Sequence, residues 1–183
     1  MQPRFWPSWR PCGTPVSTPL RTFFRSLRMA GDSVRGGEAI SIRRVLDAPC
    51  KQVFDAWTRP ELMARWFFAG VGWTTKVSAD VRVGGRYELT MRDTSGSEHA
   101  QFGEYREIVP FTRLVFTWSF PPLAVVDSVV TVKLVDLGAR TELELTHALP
   151  ADQKIRRSHE EGWAGCLGNL EVFVNQGTKG EPR

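Results

Sequence analysis

The longest periodic run of apolar residues lies near the C-terminal end, in Asp152–Gln176 (DQKIRRSHEEGWAGCLGNLEVFVNQ). At the 100° step of a helix, Ile155, His159, Trp163, Cys166, Leu167, Leu170, Phe173 and Val174 fall within roughly 120° of one another, which predicts one long amphipathic helix. His159 is the polar member of that stripe. Gly162 lies on its edge, where a helix-interior glycine costs about 1 kcal/mol relative to alanine and so marks close backbone approach or a space left open.

Upstream the period changes to two. Ala39–Leu46 reads as a short alternating strand, stopped by Asp47-Ala48-Pro49, which also starts a helix because the fixed φ of proline suits a first turn. Val53, Phe54 and Trp57 give that helix its apolar face. Pro60 repeats the device, and Leu62, Met63, Trp66 and Phe67 line a second short helix. Strands follow at Trp73–Ser78, Arg86–Met91, Glu98–Val109, Arg113–Phe120, Asp127–Val135 and Arg140–His147, with turn signals between them such as Gly84-Gly85, Asp93–Ser97 and Pro121-Pro122. About seven strands joined mostly by tight turns predict an antiparallel meander in an α+β fold, its helices segregated to one face.

Alternation assigns that face. Tyr87, Leu89 and Met91, then Leu114, Phe116, Trp118 and Phe120, then Thr141, Leu143, Leu145 and His147 all point the same way, opposite the polar set. A twisted antiparallel sheet that curves around a helix need not fill its middle. A cavity there is the expected ligand site.

Charge narrows the functions open to the chain. The 183 residues are 42% hydrophobic and carry a formal net charge of +4. Six of the 24 lysines and arginines, but one of the 20 acids, lie in residues 1–37, so the remainder is near neutral, about −1. The basic charge therefore belongs to a leader rich in proline and arginine, and nucleic-acid binding is not expected of residues 38–177. Five prolines (Pro3, Pro7, Pro11, Pro15, Pro19) spoil the amphipathic helix of a transit peptide, and no apolar core of a secretory signal is present. We expect 1–37 to be a disordered extension, with Met29-Ala30 as an effective start, 38–177 to be one domain and 178–183 a tail. No run of 18 apolar residues predicts a membrane span. Cys12, Cys50 and Cys166 have neither metal-site nor disulfide-framework spacing, which suits a reducing cytoplasm.

A set of motifs in order now carries a resemblance. Ala48-Pro49-x3-Val53-Phe54-x-Ala56-Trp57-Thr58-x-Pro60-Glu61-x3-Arg65-Trp66 resembles the opening signature of the activator of heat-shock protein 90 ATPase homologue-like family. That family lies within the START-like (SRPBCC) helix-grip superfamily, with polyketide cyclases, Bet v-like and aromatase-like proteins. Further matches are Gly84-Gly85-Arg86, Gly103-x-Tyr105, Arg113–Trp118, Thr141-x-Leu143-x-Leu145-x-His147 and Gly162-Trp163. The resemblance implies a helix-grip fold, a curved sheet with two short helices and a long C-terminal helix over its concave face. It also implies binding of apolar or aromatic small molecules, with chemistry in some members only.

The residues offer little chemistry of their own. No G-x-S-x-G elbow, P-loop or dinucleotide fingerprint occurs, and His99, His147 and His159 include no i,i+4 pair for a helical metal site. No catalytic residue, metal or cofactor is assigned. His147 and His159 sit on inward faces at the two ends of one loop, so their rings are expected near the same end of the cavity. They are core histidines satisfied by backbone groups, a polar anchor at the pocket end, or proton-transfer groups. Trp66, Tyr87, Trp118 and Trp163, with Leu145 and Leu167, are its wall or simply core.

Three functions stay open. The first is binding of a small hydrophobic ligand. The second is a chaperone-ATPase-activator-like module acting on a protein partner; its name-giving members resemble this chain over the helix-grip domain alone, and their additional N-terminal domain is not expected in it. The third is a cyclase- or hydrolase-like enzyme using the same cavity. A monomer or homodimer is expected. The chain shortened to begin at Met29 is expected to keep the thermal midpoint and circular dichroism of the full chain.

Overall fold

The computed structural model describes residues 39–68 and 72–177, so the expectations for 1–37 and for 178–183 lie outside the described residues. Seven strands, β1 (Ile40–Leu46), β2 (Thr74–Ala79), β3 (Arg86–Arg92), β4 (Glu98–Val109), β5 (Arg113–Phe120), β6 (Val125–Asp136) and β7 (Thr141–Ala148), form one sheet in the order β1-β7-β6-β5-β4-β3-β2. Every neighbouring pair is antiparallel. Between β1 and β2 run α1 (Cys50–Thr58) and α2 (Pro60–Trp66), and α3 (Gln153–Gly177) closes the chain. This is the α+β meander that the periodicity predicts, in the helix-grip arrangement that the resemblance implies.

Local chemistry accounts for the boundaries. Pro60 occupies the first turn of α2, and Pro49 is the N-cap of α1. At the start of α3 the Asp152 carboxylate accepts the backbone N–H groups of Lys154 and Ile155, a side-chain cap for donors that no earlier turn can satisfy. The helices are then tied to their neighbours. The Asn169 amide donates to Trp66 O, the Gln52 amide to Val174 O, and the Trp66 indole to Ala56 O. Thr141 Oγ1 donates to Ala48 O, fastening β7 to the loop that starts α1.

β6 begins two residues earlier than its alternation indicates. Ala124 and Asp127 both take positive φ, and the register shifts between Trp118 and Phe120. The Asp127 N–H donates to Ser119 Oγ, whose hydroxyl faces the Asp127 carboxylate, so a bulge held by side chains hides the true start. The two glycines of the Gly84-Gly85 turn meet different needs. Gly84 carries the positive φ, while a Cβ at Gly85 would collide with the Asp80 carbonyl oxygen.

Gly103 opens a passage through β4. It stands opposite Tyr87 of β3, whose ring crosses it and whose hydroxyl donates to Thr117 O on β5 at 2.6 Å. A Cβ there would strike the Thr117 carbonyl oxygen and meet Tyr87 Cε1 at 2.8 Å. Gly103→Ala is therefore expected to lower the free energy of unfolding by about 1–3 kcal/mol through overpacking, measured by urea denaturation.

Candidate functional site

The middle of the sheet–helix space is filled by rings. Trp57 meets Trp66 edge-on at 4.7 Å, Trp66 stacks on Phe67 at 4.1 Å, and Trp118 lies 4.8 Å from Trp163. Phe67 touches both of the latter, at 6.4 and 6.0 Å. The source is the pattern read from the sequence: β5 sends in Phe116 and Trp118, α1 and α2 send in Trp57, Trp66 and Phe67, and α3 sends in Trp163. Each ring removes a large apolar area from water, so this packing is the main stabilising contribution of the centre.

Beside the rings runs a hydrogen-bond relay. The Trp163 indole N–H donates to His147 Nδ1 at 3.0 Å. Because an indole can only donate, Nδ1 carries no proton, and the proton of the neutral ring is on Nε2. Nε2–H then donates to Ser128 Oγ at 2.8 Å, and the Ser128 hydroxyl donates to Trp118 O, also at 2.8 Å. The relay links α3, β7, β6 and β5 and ends on a carbonyl. Burial, followed by the nearby His159, pulls the His147 pKa down to about 3. The ring is a neutral structural connector, with no free site for a proton.

His159 sits one helical turn before Trp163, its ring 5.3 Å from that of His147. Its Nδ1–H donates to Ile155 O at 2.9 Å within the helix, which leaves Nε2 as a lone-pair acceptor. Nε2 is buried and has no partner among the described residues. Burial lowers the His159 pKa, and the Ile155 carbonyl acts weakly in the opposite direction.

That ring lines a pocket at the same end of the sheet–helix space. Phe68, Phe120, Trp118 and Trp163 form its apolar wall, and Gln101, Ser158, His159 and Gly162 complete it. The space enclosed there is about 10 Å³, room for about one water. His159 is the one titratable group in the lining. Gln101 Oε1 and Trp118 Nε1 are also buried without a partner among the described residues, on side chains only 2% exposed. Leaving such an atom unpaired costs about 1–3 kcal/mol. Three such atoms belong to side chains of this one lining.

Of the residues singled out by sequence, Trp118, His159 and Trp163 come together in this lining. Trp66, Tyr87, Leu145 and Leu167 are buried in the core cluster, and His147 stands behind the pocket in the relay. Gln101 and Ser158 were not singled out. Gln101 was legible: in β4 it alternates onto the face of Tyr105, opposite Leu89, an apolar environment for an amide. Phe68 follows α2 with φ of 48°, a backbone choice that no local pattern announces.

Other chemistry is scarce nearby. The Cys166 thiol is buried and its pKa is pushed up to about 12, so it stays protonated. No cluster of metal-binding side chains occurs among the described residues, and none of their helices is long and apolar enough to cross a membrane.

The model of the Activator of Hsp90 ATPase homolog 1-like protein family matches residues 47–175. Protein CV1439 from Chromobacterium violaceum is 30% identical with a TM-score of 0.67, over 74% of this chain and 96% of that one. CalU16 from Micromonospora echinospora is 28% identical with a TM-score of 0.59, over 77% of this chain and 78% of that one. An AHSA1-like protein from Aeromonas hydrophila, 24% identical with a TM-score of 0.66 over 80% of this chain and 98% of that one, shares the fold. No curated protein matches the chain.

The buried histidines set an acid limit on stability. Unfolded, His147 titrates near 6.5; folded, it titrates near 3, so between these values the unfolded chain binds a proton that the folded chain does not. Stability is fully present above about pH 6.5 and falls as pH drops toward 3, by up to about 1.4 kcal/mol per pH unit for one proton. The lowered pKa of His159 acts in the same direction. Urea denaturation of His147→Gln at pH 7, 6, 5 and 4 is expected to give a shallower fall than the parent.

Proposed function

As the chain belongs to the Activator of Hsp90 ATPase homolog 1-like family, we propose that it binds a small apolar or aromatic molecule in the pocket between Trp118, Phe120 and Trp163. The fold is that of a START-like ligand-binding or activator-type module. The finer reading rests on one observation, a solvent-open pocket with aromatic walls among whose lining residues are side chains with buried, unpaired polar atoms. Pockets of that composition bind through apolar contact and orient the ligand through a few polar groups.

The binding residues in this reading are Trp118, His159 and Trp163, joined by Gln101, Phe68 and Phe120. Trp66, Tyr87, Leu145, His147 and Leu167 hold the wall from behind. The ligand is neutral, because no lining residue offers a compensating charge and burying an unpaired ion is costly. Function in a reducing cytoplasm belongs to the same reading, supported by two free, buried thiols at Cys50 and Cys166.

Toluene titrated into isotopically labelled protein is expected to shift the indole N–H resonances of Trp118 and Trp163. Gly162→Leu adds a side chain to the lining and is expected to abolish those shifts, with stability within about 1 kcal/mol of the parent, since the gain in helix propensity offsets crowding. A parent protein that gives no shift with toluene, phenol or indole would overturn the reading and leave a surface that acts on a protein partner.

A further inference from the structure

Two buried histidines face each other across the seam between α3 and the sheet. The ring centroids of His147 and His159 are 5.3 Å apart, with the planes at 75°. Among the described residues nothing around them supplies a counter-charge. Their neighbours are Trp118 and Phe120 of β5, Ser128 of β6, Trp163 of α3 and, opposite His147, Ile40 of β1, while the pocket lining adds Phe68, Gln101 and Ser158. The carboxylates of the elements at this end are engaged elsewhere: Asp93 with Ser95, Ser97 and His99, Asp127 with Ser119, and Asp152 with the first N–H groups of α3. On α3 itself Lys154, Arg157, Glu160 and Glu161 are exposed, and Arg156 is half-buried. A proton that enters the pair is therefore buried without compensation, and a charge on one ring repels a charge on the other.

Neither ring has a place for a second proton while α3 lies on the sheet. His147 Nδ1 accepts the Trp163 indole N–H, and its Nε2–H donates to Ser128. Protonating Nδ1 turns N–H against N–H and removes the acceptor of Trp163. On His159 the second proton goes to Nε2, which is buried and has no partner among the described residues. Both events act on the first half of α3. The second half is tied to the paired helices by groups that do not titrate, since the Gln52 amide donates to Val174 O and the Asn169 amide to Trp66 O. Between the ties at Trp163 and Asn169 lie Gly165 and Gly168, and glycine weakens a helix interior. A Cβ at Gly168 would meet nothing within 4 Å, so packing within the chain does not demand that glycine.

We propose that the His147–His159 pair is an acid-operated release for the first half of α3: when the pair takes up protons, residues 153–163 leave the sheet while residues 169–177 stay on α1 and α2. The inference stands apart from the ligand reading, because it needs only the contacts of the seam. Its sign follows from the environment of the two rings. Held in the seam, His147 titrates near 3 and His159 below its usual value; freed into water, both return toward 6.5. The released form therefore binds up to two more protons than the closed form. The closed form is favoured above about pH 6.5, and each pH unit below that shifts the balance toward release by up to about 100-fold, tenfold per proton. Such an opening requires less than global unfolding, because Trp57, Trp66, Phe67 and the sheet stay packed.

The test is an NMR titration of the isotopically labelled full chain from about pH 7 to about pH 3.5, the range in which the two rings change charge. The Trp163 indole and the backbone amides of residues 153–163 are expected to leave their native positions at a higher pH than the amides of Leu170, Val174 and the strands. The released fraction is expected to grow by more than about tenfold per pH unit, the mark of more than one proton. His159→Gln leaves one titrating ring, so its release is expected at lower pH and with a slope of no more than about tenfold per unit. His147→Gln is expected to show the same one-proton slope, and if one variant fails to fold the other decides. Loss of all native positions in a single transition would overturn the proposal, since α3 would then leave only with the whole fold. Native positions that persist in residues 153–163 down to the lowest pH, or a folded variant with the slope of the parent, would overturn it as well.

Discussion

An indole N–H taken out of water needs an acceptor, and in this fold the helix depends on the sheet to supply it. Trp163 on α3 donates to His147 on β7, which donates to Ser128 on β6, which donates to the carbonyl of Trp118 on β5. Apolar packing alone holds a helix against a sheet but permits it to roll or slide. A directional bond of 3.0 Å from the middle of the helix to one ring allows neither. The rotation of α3 follows, and with it the position of His159 one turn earlier and of Gly162 beside it. The pocket is thus placed by a contact that is not part of its lining.

The aromatic packing decides where space is left. Trp57, Trp66 and Phe67 arrive from the paired helices and fill the middle of the grip, the place where an open sheet and a helix would otherwise enclose a cavity. Toward the His159 end, the wall is made by residues that stand at the limits of elements. Phe68 follows α2 with positive φ, Phe120 ends β5, and Ser158 lies in the second turn of α3. Element ends pack less completely than element centres, so the residual volume gathers there.

Period-two and helical patterns made the seven strands, three helices and inward faces legible, because each of those features is set by residues close in sequence. The nearness of His147 and His159 was legible for the same reason, as they bracket one loop. Their division of labour was not. Both are inward histidines, and only the indole of Trp163, 16 residues from one and four from the other, distinguishes a ring with both nitrogens engaged from a ring with one nitrogen free. The bulge at Asp127 and the positive φ of Phe68 also escaped, since side-chain bonds and tertiary packing override local preference at these positions. Gln101 is the instructive case. Its alternation was readable, and an amide on an inward face opposite Leu89 is the kind of polar exception that marks a site.

Trp118 belongs to both halves of this arrangement through different atoms. Its carbonyl oxygen ends the relay, its ring stacks against Phe67, and its indole N–H is buried without a partner among the described residues. Trp163 does the reverse, committing its N–H to the relay and giving the pocket only its ring face. The relay and the pocket lining therefore share residues but not hydrogen-bonding atoms. Changes at Gln101, Ser158 or Gly162 alter the pocket lining while the relay keeps α3 in register. A change at His147, in contrast, would leave both the Trp163 indole and the Ser128 hydroxyl to find new partners in a dry interior, and it would move the pocket by moving the helix. The distinction places the pocket at the rim of the grip and the relay that holds α3 one layer behind it.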